Sequence, residues 1–426
     1  MSRKFLTFLG TSPYKPTVYT LSPDKPGVET SFVQTAVNQF WGPFDESYIF
    51  VTEDAKKRNW ELLCQTMQQQ TGTAFLTLKD IPDGKNETEI WDIFSILRSC
   101  IAANDVVVFD VTHSFRSIPI LTLACIQYMR SLESVQLERI VYGAWEARTP
   151  YKNTYESDDP PPKAPIFDLT PFVELMDWSH AISEFDKYGQ IGPLRDLVKK
   201  DGNTFLMTNK LRQNLSTVVD HMTNLQKDIL TCRGRSISEG KRLEAILPSI
   251  KKLKHNVKDL PPAFRPLLEK LESKLIKLSG PPDITVADEV RRGFGAVDWC
   301  LSHGLIQQAY TIFQESLITH FCQLEGLNFH EKASRTLAAQ AAKTFNIDQI
   351  EWDPPAKDNP ETIRNIHEKV GKEVLALFDS LSGNRNDINH AKTTSTNTPE
   401  SLKKKIDTVF GEIVSQFSIY PKDSSQ

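Results

Sequence analysis

A chain of 426 residues is too long for one ordinary core, and 39% hydrophobic with 24% charged residues fits folded, soluble material in two or three domains. Lys+Arg number 50 against 54 Asp+Glu, for a net charge of −4. That balance excludes a global basic field, so any RNA-binding charge has to be local or assembled at a dimer interface.

The amino terminus, Met1-Ser2-Arg3-Lys4-Phe5, leads straight into a strand signal rather than a signal peptide, and no stretch has the length of a membrane span. Cys64, Cys100, Cys125, Cys232, Cys300 and Cys322 form no C-x-x-C pair and sit mostly among apolar neighbours. They read as buried thiols of a reducing compartment, which points to the cytoplasm.

Residues 1–172 alternate strand and helix signals. Strands are expected at Phe5–Leu9, Tyr48–Thr52, Ala74–Leu78, Asp105–Asp110, Arg139–Trp145 and Ile166–Leu169. Helical stretches lie near 29–40, 54–70, 87–102 and 115–132. Strands that are apolar without interruption are buried on both faces, which implies a mostly parallel, doubly wound sheet of Rossmann type. The polar segment Thr149–Pro165, with Asp158-Asp159-Pro160-Pro161-Pro162, reads as an exposed loop before the last strand. Strand signals then vanish. Residues 173–284 read as a helical linker, with a long run from Leu225 to Leu247 and a lysine-rich amphipathic segment from Leu243 to Lys277. Gly280-Pro281-Pro282 punctuates the chain, and 285–426 reads as a second all-α region with a loop at Trp352–Pro360.

Two strand ends carry ligand-type residues. In open α/β sheets ligands bind beyond the carboxyl ends of the strands, where the strand order reverses. The first strand runs into Gly10-Thr11-Ser12-Pro13-Tyr14, which offers a tight turn, hydroxyls and amides, but not the dinucleotide G-x-G-x-x-G spacing. The fourth runs into Asp110-Val111-Thr112-His113-Ser114-Phe115-Arg116-Ser117 and then an apolar helix. Free amides at a helix start beside an arginine make an anion site. Near the other end, Arg385-Asn386-Asp387-Ile388-Asn389-His390 follows Gly383, read as a break in a helical region. Arginine and histidine together supply a fixed cation for a developing phosphorane and an imidazole able to hold or move a proton near neutral pH. As a helix start with Asn and Asp caps, the same residues would be merely structural.

Asp110-Val111-Thr112-His113-Ser114-Phe115-Arg116 resembles the D-x-T-H-x-F-R signature of CARF domains, the CRISPR-associated Rossmann-like sensors of cyclic oligoadenylate. The Gly10-Thr11-Ser12-Pro13-Tyr14 start resembles their first ligand loop, and R-N-D-I-N-H is similar to the Arg–His motif of HEPN ribonucleases. The segment from Trp299 through Gln308-Ala309 to Glu315, taken as one helix, resembles the helix that precedes that motif. The resemblance implies a CARF-like sensor at 1–172 and a HEPN-like ribonuclease at 285–426, the architecture of type III CRISPR accessory ribonucleases. It further implies that Gly10, Thr11, Ser12, Tyr14, Thr112, His113, Ser114, Phe115, Arg116 and Ser117 bind cyclic oligoadenylate, most simply cyclic tetra-adenylate, as an allosteric activator. Arg385 and His390, with Asn386 and Asn389 orienting, would cut single-stranded RNA at a site shared by two protomers of a homodimer. The 2′-hydroxyl of RNA would be the nucleophile, with no metal, no cofactor and no membrane involved. A ring-nuclease activity of the sensor is a possible addition.

The competing reading is the same sensor fused to an inert helical domain, acting as a binding or regulatory protein; intact Arg385 and His390 weigh against it. His303, Glu315, His320 and His330 fit no zinc spacing, and His180, His221, His255 and His367 read as surface or capping residues. Trp41, Trp60, Trp91 and Trp299 read as core or interface residues.

Overall fold

A computed structural model describes residues 1–22, 24–73, 75–113, 118–152, 159–199, 209–255, 264–390 and 397–418. The chain divides into two compact units, Met1–Glu174 and Leu175–Gln426.

The first unit is an α/β sheet with helices on both faces. Its elements are β1 (Arg3–Leu9), β2 (Thr17–Thr20), β3 (Val28–Thr30), α1 (Val33–Trp41), β4 (Glu46–Val51), α2 (Glu53–Thr71), β5 (Thr77–Asp80), α3 (Glu87–Ser99), β6 (Val106–Asp110), α4 (Ile118–Glu133), β7 (Gln136–Gly143), β8 (Lys163–Asp168) and the start of α5 (Thr170–Tyr188). The eight strands lie in the order β3-β2-β8-β7-β6-β1-β4-β5. β5, β4, β1, β6 and β7 run parallel, as do β2 and β8, whereas β7–β8 and β2–β3 are antiparallel. Alternation along the strands explains the double burial. Leu6 and Phe8 of β1 and Val107 and Phe109 of β6 pack with Ile93 and Leu97 of α3 and Ile126 of α4. Phe5 and Val108 pack with Val33 and Val37 of α1, and Leu9 with Leu63 and Met67 of α2.

Several sequence expectations move. β2 and β3 were not expected; they are four and three residues long, too short for a periodic signal, and β3 takes the first residues assigned to the 29–40 helix. The third strand starts at Thr77 instead of Ala74, which lies outside the described residues, and Phe75 before it is 90% exposed.

The second unit is helical: the rest of α5, then α6 (Gly192–Lys199), α7 (Asn209–Leu230), α8 (Gly234–Glu239), α9 (Lys241–His255), α10 (Phe264–Ile276), α11 (Asp288–Ser302), α12 (Ile306–Leu324), α13 (Lys332–Thr344), α14 (Pro360–Val370), α15 (Lys372–Asn389) and α16 (Pro399–Gln416). Residues on both sides of position 284 share one hydrophobic core, from Trp178 to Ile413. The run Leu225–Leu247 is not one helix: it turns at Cys232, with φ 50°, and at Gly240, with φ 69°. Trp299–Glu315 is likewise two helices, because the left-handed Gly304, φ 71°, reverses the chain between α11 and α12. α12 lies at the centre and runs antiparallel to α11 and α15, with Phe313 against Phe294 at 5.5 Å and Phe321 against Phe378 at 5.4 Å between ring centroids. Gly293 permits the close approach of α11, since a Cβ there would lie 2.1 Å from the Ser316 hydroxyl.

Candidate functional site

The first candidate site is built at the topological switch of the sheet. After β2 and β3 at the far edge of the sheet the chain returns through α1 to β4, moves outward to β5, and crosses back through α3 to β6 on the other side of β1. The strand order therefore reverses between β1 and β6, whose carboxyl ends carry Gly10–Tyr14 and Val111–His113. Both loops meet there: the Tyr14 ring sits edge-on to His113 at 4.7 Å and against Phe32 at 4.5 Å.

The first loop is pinned from three sides. Gly10 N–H donates to the Tyr14 hydroxyl at 2.8 Å. Asn59 Nδ2 donates to the carbonyls of Gly10 at 2.8 Å and Ser12 at 3.1 Å, and Arg58 Nη1 to that of Thr11 at 3.4 Å. A side chain at Gly10 would touch the Tyr14 hydroxyl at 3.3 Å and His113 Cβ at 3.4 Å, so glycine suits the close approach of the loops. Ser12 is exposed, Gly10, Thr11 and Tyr14 are partly so, and burial pushes the Tyr14 phenol up from its ordinary value.

The second loop is built on a buried carboxylate. Asp110 is fully buried and accepts from the Thr7 hydroxyl at 2.6 Å, from Thr112 N–H at 3.0 Å and from the Thr112 hydroxyl. Burial pushes its carboxyl up against those hydrogen bonds, which favour the ionised form. The Thr112 oxygen in turn accepts from Gly143 N–H at 2.7 Å, tying β6 to the end of β7. Thr112 thus has its hydroxyl engaged inside the protein, which the sequence reading as a ligand-facing group did not foresee. His113 is held neutral, its pKa pushed down to about 4 by burial. Its Nε2 is buried with no hydrogen-bond partner among the described residues. Ser114, Phe115, Arg116 and Ser117, and with them the expected anion site at the start of α4, lie outside the described residues.

Sequence reasoning missed Asn59 and Gln34. Asn59 stands in the buried stripe Ala55-Asn59-Leu63-Met67 of α2, and a polar residue breaking an apolar stripe at helical spacing is a signal that could have found it. Gln34 is fully buried and donates to Phe8 O at 2.8 Å, holding the end of β1.

The second candidate site is the end of α15. The motif lies in the last turn of that helix, not at a helix start: Gly383 is inside α15, and His390 is the residue that closes it, its N–H donating to Asn386 O at 3.1 Å. A glycine within a helix costs about 1 kcal/mol but does not break it when the flanking residues pack, and Leu381 and Asp387 on either side are buried. The capping reading of Asn386 and Asp387 therefore fails. Asp387 instead accepts from Asn397 Nδ2 at 2.8 Å, and Asn397 Oδ1 accepts from Lys405 Nζ at 2.6 Å, which ties α15 to α16. Asn389 accepts from Gln307 Nε2 of α12 at 3.3 Å. Arg385 is half-buried, and His390 and Asn389 are exposed. Arg385 pairs with no carboxylate among the described residues; its Nη1 approaches Asn386 Oδ1 at 3.5 Å and its Nε is buried without a partner.

The rejected histidines have structural places. His320 is buried against Phe417 at 4.7 Å and pushed down to about 4 by burial, and His367 Nε2 bonds Ala341 O at 2.8 Å. Among the described residues no group of three His, Cys, Asp or Glu side chains is placed to hold a metal ion, and no helix is long and apolar enough to cross a membrane. The six cysteines are free thiols, four of them buried.

No protein-family model matches the chain. It is similar to CRISPR-associated protein MJ1674 of Methanocaldococcus jannaschii, with 27% identity over 182 residues. That alignment covers 41% of this chain and 27% of the relative, so the chain spans little more than a quarter of the relative's length.

Proposed function

We propose that this chain is a CRISPR-linked RNA endonuclease of HEPN type, switched on by cyclic oligoadenylate held on a CARF-like sensor. The observation that carries the nuclease reading is Arg385: a half-buried guanidinium with no carboxylate partner among the described residues, five positions before the exposed histidine that closes the same helix. A guanidinium and an imidazole at one helix end suit a phosphodiester, whose transition state gains negative charge. The 2′-hydroxyl attacks the adjacent phosphorus, the P–O5′ bond breaks, and the products carry a 2′,3′-cyclic phosphate and a 5′-hydroxyl. Arg385 stabilises the phosphorane, and His390 moves the proton from the 2′-hydroxyl or to the leaving oxygen. RNA supplies its own nucleophile, so the reaction needs no metal.

The sensor reading is supported by the meeting of the Gly10–Tyr14 and Val111–His113 loops at the switch point, and the CRISPR link by the similarity to MJ1674. The two-fold symmetry of a cyclic tetra-adenylate matches an isologous dimer, in which Arg385 and His390 of both protomers form one RNA site. Product analysis tests the chemistry. Cleavage in EDTA should leave 2′,3′-cyclic phosphate ends and stop at any position carrying a 2′-deoxy sugar. Cleavage of the deoxy position, or activity restored only by a divalent ion, would remove this mechanism.

A further inference from the structure

Within the helical unit, α8, α11, α12 and the segment Phe329–Arg335 enclose a cavity of about 370 Å³. It is within the size range of small-ligand sites. One wall is a carboxylate held in place. Arg335 Nη2 donates to Glu315 Oε2 at 2.6 Å and to Glu315 O at 2.9 Å, while its Nη1 donates to Thr319 Oγ1 at 2.9 Å and Phe329 O at 3.1 Å. Glu315 Oε1 makes no hydrogen bond among the described residues, and the side chain is 42% exposed at the cavity. The mouth carries an aromatic pair, Phe329 and His330, with ring centroids 4.3 Å apart. The far wall holds the hydroxyls of Thr311 and Ser316 and the Cys232 thiol.

The cavity adjoins the Arg385 motif through α12. Gln307 on its first turn holds Asn389, and the neighbouring Gln308 Nε2 donates to Leu230 O at 3.4 Å, at the corner that leads to Cys232. Thr311, one turn after Gln307 on α12, lines the cavity beside Cys232, so a single turn of α12 joins the cavity wall to the end of α15.

We propose that this cavity takes the nucleobase flanking the scissile phosphate and favours bases with an exocyclic amine over uracil. The proposal rests on the reading of Arg385 and His390 as the RNA-cleaving pair. A fixed carboxylate accepts an N–H bond, as from the N4 amine of cytosine, whereas uracil places two carbonyl oxygens around its single ring N–H and is repelled. Phe329 and His330 provide a face on which any base stacks, and the hydroxyls adapt as donor or acceptor. An arginine that binds the carboxylate through one oxygen and the adjoining helix backbone sets the orientation of the other oxygen before the ligand arrives.

The test uses the full chain with 2′-O-methyl tetracytidylate and tetrauridylate, pyrimidines that the nuclease cannot cut. Binding is read by fluorescence anisotropy in the presence of cyclic tetra-adenylate. Wild type should bind tetracytidylate about tenfold or more tightly over tetrauridylate, the scale of one good base contact. Glu315→Gln should bring the two within a few-fold of each other, and His330→Ala, an exposed site, should weaken both equally and leave the ratio intact. Equal binding of both oligonucleotides by wild type, or a ratio unchanged in Glu315→Gln, overturns the proposal. The nuclease reading is tested separately: discrimination in binding without cleavage of unmodified RNA keeps the pocket and removes the nuclease, and cleavage without discrimination does the reverse.

Discussion

Thr112→Val is the most informative single change in the sensor unit, because it keeps the shape of the side chain and removes one oxygen. That oxygen donates to the buried Asp110 and accepts from Gly143 N–H at 2.7 Å. Losing a hydrogen bond to a charged group costs about 1.5–3 kcal/mol, and leaving the buried Gly143 N–H without a partner about 1–3 kcal/mol. A loss of roughly 3–5 kcal/mol is expected after partial relaxation, a large share of the usual 5–15 kcal/mol of a domain. The loss should depend on pH. Burial raises the folded pKa of Asp110 above its unfolded value, so ionisation destabilises the fold as pH rises from the ordinary aspartate value, about 4, through the folded value. Removing a donor to the carboxylate raises the folded value further. The variant's deficit then grows as pH rises above about 4 and is smallest below it, where Asp110 is protonated in both states. Hydrogen exchange of peptides spanning β1, β6 and β7 at several pH values reads this directly. Thr112→Ser should restore most of the protection. A Thr112→Val variant within about 0.5 kcal/mol of wild type at pH 7, or an equal deficit at pH 3.5 and 7, would refute the role assigned to this network.

Arg385→Ala and His390→Ala should each lower RNA cleavage by about 10² or more while leaving the fold and activator binding unchanged, as measured by circular dichroism and calorimetry. His113 has a folded pKa pushed down to about 4, below its unfolded value, so it should withdraw stability as pH falls from about 6.5 towards 4. Mixing wild-type chains with an excess of His390→Ala chains should give far less activity than the wild-type fraction if both protomers build one RNA site. Activity proportional to that fraction would mean each chain cuts alone.

The sheet was legible because its central strands are apolar on both faces. Phe5–Leu9 and Val106–Asp110 could be read without tertiary information, and so could the loops at their ends. β2 and β3 were not, since four and three residues hold no period and the pairing of β2 with β8 is long-range. Helix limits in the second unit failed at Cys232, Gly304 and Gly383 for one reason. Whether a small or left-handed residue turns the chain depends on the packing around it: Gly304 reverses the chain, and Gly383 stays within α15. The candidate residues were named from chemistry, but their use was not visible. Thr112 turns inward to Asp110 and Gly143, and Asp387 binds Asn397 instead of capping a helix. Asn59 could have been found as a polar residue in an apolar stripe.

The central claim is that a ligand on the first unit turns on RNA cleavage by the second. The direct measurement is the initial rate of single-stranded RNA cleavage by the full chain, in EDTA, across a titration of cyclic tetra-adenylate. The account predicts a saturable rise of about tenfold or more, within the usual range of coupling between sites, that vanishes in Arg385→Ala and shifts to higher ligand concentration in Tyr14→Ala. A rate that is the same with and without the ligand, or a rise that persists in Arg385→Ala, would contradict it.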